Sequence, residues 1–251
     1  MKNRNQWLRR AVLGISVLLP LSAWAQDACP PEGTDASSLA LLKEQRFVID
    51  DVAVRDALAM GLLGCLSSPD PALRDGMAYE AFTQWLRNDQ LQPEVRAQLR
   101  DRLYDMLKEA DEAGFRQSFA ALVLSEVART DRISPWMSPA ERVAMVKAAT
   151  QYLRSVTDYR GFDNTEGWRH GVAHGSDWLL QLALNPGVER AQLDQILEAI
   201  ATQVVPESGH AYVFGEPGRL ARPVLYIAKR GLLSEAEWTT WFSALPARIG
   251  D

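Results

Sequence analysis

Basic clusters, cysteines, histidines and long apolar runs are all scarce in this 251-residue chain. Without a run of Lys and Arg, neither nucleic acid nor an anionic membrane surface is an expected partner. The apolar run Ala11 to Leu19 is too short, and too soon followed by Gln26 and Asp27, to cross a bilayer. No phosphate-binding glycine loop or dinucleotide fingerprint occurs, because Gly209, Gly215 and Gly218 are spaced along a polar loop with no strand before them. A serine nucleophile on a glycine-serine-glycine elbow is missing as well; Ser176 has no such context. Gly171 follows the first histidine of the one His-rich segment, where a thermolysin-like helix carries its general-base glutamate.

What is present starts with an export signal. Lys2, Arg4, Arg9 and Arg10 precede the apolar run, and Ala23-Trp24-Ala25 supplies small residues for cleavage. Residues 1–25 therefore read as a signal peptide and 26–251 as one domain, periplasmic or extracellular. Arg9-Arg10 also resembles a twin-arginine core, so the export route stays open. Four of the 27 Lys/Arg and none of the 32 Asp/Glu lie in that segment, leaving a mature formal charge of −9. The two cysteines, Cys29 and Cys65, are expected to form a disulfide in such a compartment.

After Ser37 the pattern is helical almost throughout, with start and stop signals and no sustained alternation. Asp70-Pro71 begins one helix, and Ser138-Pro139-Ala140-Glu141 and Ser234-Glu235-Ala236-Glu237 are capping boxes. Asn185-Pro186-Gly187 separates a helix over 168–184 from one over 188–204. Short breaks predict antiparallel hairpins. Ser67 to Asp75 resembles the start of a HEAT-type repeat. The expected fold is all-α, an irregular superhelix of HEAT/armadillo-like stacked pairs; the alternative is a compact orthogonal bundle. Glu94, Arg96, Arg100, Asp101, Arg102 and Lys108 read as a solvated helix face.

All the histidines are His170, His174 and His210. On a helix His170, His174, Asp177 and Gln181 share one narrow stripe with apolar residues on both flanks. Gly171 and Gly175 permit close approach by a neighbouring helix. The stripe has three readings: a structural network closed by Asp177 and backbone groups, a pocket for a small polar ligand or peptide, or a zinc or other transition-metal site. In the metal reading His170 and His174 are ligands, with His210 or Asp177 as the third. Trp168 flanks the stripe. The loop 206–219 brings His210, Tyr212, Glu216 and Arg219, which could cover it.

Several of these residues also carry a family pattern. Tyr159-Arg160-Gly161-Phe162 is followed by Gly167-Trp168-x-His170-x-x-Ala173-His174-x-x-Asp177, then Gly215-Glu216-x-x-Arg219-Leu220-Ala221 and Lys229-Arg230-Gly231-Leu232-Leu233-Ser234. Over about 140–242 the chain resembles the bacterial family called domain of unknown function 2785, and 40–139 are compatible with it. Pro217-Gly218 stand where that family carries acidic residues. The resemblance implies an all-helical, HEAT-like fold and brings no established activity. A fainter likeness to lanthionine-synthetase-like α/α barrels rests on His170-Gly171 and His174-Gly175, but those barrels hold zinc with cysteines that this region lacks. The expected function is an exported binding or scaffold module for a protein, peptide or small polar ligand, with no cofactor. The alternative is a metal-dependent hydrolase using His170 and His174.

Overall fold

The computed structural model describes residues 28–206 and 209–246. The expected export signal, residues 1–25, lies outside the described residues. The chain is all-α, as its periodicity predicts. In order come α1 (Ala36–Glu44), α2 (Val52–Gly61) running into a 3₁₀ segment (Leu62–Ser67), α3 (Pro71–Leu73), a π-helical segment (Arg74–Tyr79), α4 (Glu80–Arg87), α5 (Pro93–Met106), α6 (Arg116–Ile133) and α7 (Pro139–Ser155). A two-stranded ribbon, β1 (Phe162–Asp163) and β2 (Gly167–Trp168), precedes α8 (Gly171–Ala183), α9 (Arg190–Val204), α10 (Glu216–Lys229) and α11 (Glu235–Ala244).

The caps anticipated from sequence form. Ser138 and Glu141 close a reciprocal box on α7, Ser234 and Glu237 another on α11, and Asp70 accepts from Ala72 N at 2.8 Å. These side chains satisfy N–H groups that a helix start leaves without partners. Helix α8 is shorter than expected: it starts at Gly171, and Trp168 belongs to the ribbon.

Helices α4, α6, α8 and α10 lie side by side in that order, while α7 and α9 pack together behind them. Side-chain contacts give their sense. Ser118 near the start of α6 meets His174 early in α8, and Arg132 near its end donates to Gln181 late in α8 at 3.0 Å. His170 before α8 faces Glu216 at the start of α10, and Asp177 two turns on meets Arg219. The three helices therefore run parallel. Gln203 Nε2 donates to Leu153 O at 2.8 Å, where both α9 and α7 end, so that layer is parallel too. Each consecutive pair between layers is an antiparallel hairpin, with Gly171 and Gly175 pressed against Tyr152 and Leu153 of α7. A Cβ on Gly175 would come within 3.0 Å of Tyr152 Cε1.

This pairing sorts the connections. The short ones, 134–138, 184–189 and 230–234, fall on one edge, where Asp131 clamps three of the elements. Its buried carboxylate accepts from Arg142 Nε at 2.7 Å, Asn185 Nδ2 at 2.8 Å, and the N–H groups of Trp136 and Met137. The long ones, 107–115, 156–170 and the described parts of the last, 205–206 and 209–215, gather on the opposite edge beside the starts of α6, α8 and α10.

Two of the charges read as solvated are not. Arg96 and Arg100 are buried, stacked at 4.7 and 5.5 Å from the Trp136 ring centroid and paired with Asp89, Asp101 and Glu141. Their guanidinium groups lie over the indole, a packing role that charge patterning along one helix does not reveal.

Cys29 and Cys65 are joined, with Cα atoms 4.9 Å apart. Closing a loop of 36 residues removes about 4 kcal/mol of unfolded-state entropy in the chain-entropy model. Thermal unfolding with and without a thiol reductant should show a clearly lower melting temperature after reduction. An unchanged transition would mean that the bridge contributes nothing.

Candidate functional site

The long-connection edge and the face of α4, α6, α8 and α10 beneath it collect most of the polar residues marked out by sequence. His170 caps α8 with a left-handed backbone, φ 56°, a conformation costly for a residue with a Cβ. Its N–H donates to Arg160 O at 3.1 Å and its ring stacks on Trp168 with centroids 4.6 Å apart. Nε2 lies 3.5 Å from Glu216 Oε1, beyond hydrogen-bonding reach, and both side chains are buried. Burial lowers the His170 pKa, with Glu216 opposing and Arg219 reinforcing the shift. Glu216 sits in the first turn of α10, where the helix dipole favours an anion, and accepts from Phe214 N at 2.9 Å.

His174 is buried against α6. Its Nδ1 lies 3.1 Å from Ser118 O and 3.3 Å from Ser118 Oγ, so the neutral ring donates from Nδ1 to that carbonyl. Phe119 meets the imidazole edge-on at 5.2 Å. Burial, then the nearby His170, push its pKa down to about 3. Asp177 pairs with Arg219 rather than with a histidine. Burial raises its carboxyl pKa, against the pull of Arg219 and Arg222. The two family elements thus meet as rungs between α8 and α10, His170 with Glu216 and Asp177 with Arg219. Glu216 and Arg219 act from a helix, not from the loop in which the sequence placed them.

The rest of that loop packs elsewhere. His210 stacks on Tyr159 at 4.8 Å, and the Tyr212 hydroxyl lies 2.9 Å from Gln203 O. The Phe214 ring occupies the space where a Cβ on Gly161 would stand, and its edge meets Trp168 at 5.7 Å. The loop therefore lies over 156–168 and not over His174. His170, His174 and His210 do not converge, and the described residues contain no group of three His, Cys, Asp or Glu side chains placed to share a metal ion.

Three features escaped sequence reading. Arg74 and Arg169 both lie over the Phe115 ring, at 4.1 and 4.3 Å, and bind the ribbon to the π-helical segment and α6. A polar cavity of about 150 Å³ beside Ser118 is lined by Asp111 and Asp158 among others. Both carboxylates are occupied, by backbone N–H groups and by Arg160 respectively. An apolar groove of about 570 Å³ separates α9, α10 and α11, between Ile200, Val204, Leu220, Val224, Trp238 and Phe242. The paired tryptophans of α11 were its only signal in the sequence.

The family model described as "Protein of unknown function (DUF2785)" matches residues 103–249, more than half of the chain. No curated protein and no solved structure matches the chain. The family match reaches further towards the N-terminus than the motif residues alone indicated, taking in the last turn of α5 and all of α6.

Proposed function

The chain belongs to the DUF2785 family, and from that footing we propose that it is an exported binding module built as a superhelix of helix pairs. Its recognition surface is the face of α4, α6, α8 and α10 with the loop edge above it. One observation carries this reading: the polar residues along α8 are engaged by the helices on either side of it. His174 is held by Ser118, Asp177 by Arg219 and Gln181 by Arg132. Groups so engaged set the register of parallel helices and rigidify a surface. Beside them Phe162, Val213 and Phe214 stand exposed on the connecting segments. Exposed aromatics on a rigid scaffold are anchors for a partner.

The test is selection of a phage-displayed random dodecapeptide library on the folded protein, with affinities of the winners measured by fluorescence anisotropy. Peptides should enrich and bind the Phe162→Ala/Phe214→Ala double variant at least about tenfold more weakly, the usual loss when an aromatic anchor is removed. Circular dichroism checks that the variant keeps its helices. Absence of enrichment, or winners indifferent to both substitutions, would overturn the reading.

A further inference from the structure

The face that carries the rungs has more cation than it uses. Arg87 reaches Glu126 through Nε at 2.8 Å and Nη2 at 2.5 Å, and Arg219 is taken by Asp177. Arg132 is half-buried, and its one side-chain hydrogen bond among the described residues is to the neutral Gln181 amide at 3.0 Å. Arg129, one turn away on α6, is half-buried too and raises the local positive potential at Arg132. Arg222 on α10 is exposed, feels Asp177 from a distance and makes no ion pair among the described residues. Adjacent arginines removed from water without a carboxylate are unfavourable unless something else supplies the negative charge. The surplus also runs against the acidic balance of the whole chain.

We infer that this strip binds an acidic peptide segment of a partner protein, with carboxylates on Arg129, Arg132 and Arg222 and an apolar side chain on Phe162 and Phe214. The inference rests on the binding-module reading and adds the chemistry of the partner. Two observations favour a peptide over a polyanion. Glu126 and Asp177 lie among the arginines and would repel an evenly charged strand of nucleic acid or sulfated sugar, whereas a peptide can space its carboxylates to avoid them. The apolar end of the strip, at Phe162, Trp168 and Phe214, offers nothing to a uniformly charged ligand. The spacing is also defined. From His170 to Gln181 the strip runs about 16 Å along α8 at 1.5 Å per residue. An extended peptide covers that in about five residues at 3.3 Å each. The partner segment should therefore carry an apolar residue some five positions from a pair or cluster of Asp and Glu.

The winners of the dodecapeptide selection test this directly. They should be rich in Asp and Glu at that distance from an aromatic or aliphatic residue. Affinity should fall about tenfold or more between about 50 and about 300 mM salt, as screened charge pairs demand. Arg129→Gln/Arg132→Gln should weaken binding about tenfold, and Arg222→Gln less, because it is more exposed. Winners that are neutral or basic, yet still lost on Phe162→Ala/Phe214→Ala, would overturn the acidic partner and leave the binding module standing. Tighter binding of heparin or a short single-stranded oligonucleotide than of any peptide would overturn it as well. No winners at all would remove both readings.

Discussion

Replacing Arg74 by methionine should lower the unfolding free energy by about 3–5 kcal/mol, the cost of breaking a buried charged network from one side. The guanidinium is fully buried. Nη1 donates to Ser68 O at 2.8 Å and Nη2 to Glu166 O at 2.6 Å, while Asp75 supplies the counter-charge at 2.8 Å. The Phe115 and Phe119 rings lie 4.1 and 4.8 Å from its centre. Methionine fills much of the volume but leaves two carbonyl groups without donors. Arg74→Lys should recover less than half of the loss, since one ammonium cannot reproduce a planar fork between two carbonyls and two rings. Urea unfolding followed by circular dichroism measures both. A methionine variant within about 1 kcal/mol of the parent would show that the stacking rings, not the charge, hold the ribbon in place.

Acidification should destabilise the protein well above the pH at which carboxylates protonate, and His174 should be a main cause. Its folded-state pKa, about 3, lies below the ordinary 6.5. The unfolded chain therefore takes up a proton below pH 6.5 that the folded one refuses. Stability from this group is complete above pH 6.5 and drains away as the pH falls towards 3, at about 1.4 kcal/mol per pH unit. His170, also lowered by burial, acts in the same sense. Asp131 belongs to a different window. Burial would raise its carboxyl, but Arg142, the N–H groups of Met137 and Trp136, and Asn185 hold it below its ordinary value. Its contribution is present above the unfolded carboxylate pKa and lost only below it. Urea titrations between pH 7.5 and 5 should show the predicted slope, and His174→Asn, whose amide nitrogen stands where Nδ1 does and can still donate to Ser118 O, should remove about one proton of it. Equal slopes for the two proteins would mean that His174 protonates without leaving its place against α6.

The elements readable from the sequence were those decided within a few residues. Ser138 with Glu141, Ser234 with Glu237 and Asp70 before Pro71 each close a cap over less than one turn, so neighbouring letters determine them. The apolar periodicity around Trp178 and Leu182 determined that α8 would be buried, and Gly171 with Gly175 that a helix would approach it. The paired cysteines, Cys29 and Cys65, were legible by their scarcity. Tertiary structure decided everything that depends on which chain segment arrives opposite. His170 reads as helical by spacing, yet Trp168 and Arg160 draw it into a left-handed cap, because stacking and a long-range hydrogen bond outweigh local propensity. Asp177 reads as the partner of a histidine and instead meets Arg219, 42 residues away, because α10 lies parallel to α8. Burial of Arg74, Arg96 and Arg100 was illegible for the same reason: an arginine's place is set by the rings and carbonyls that close around it, and those come from distant segments. Local hydrogen bonding and periodicity act along the chain, while side-chain electrostatics and packing act across it; the helices follow from the first and the candidate site from the second.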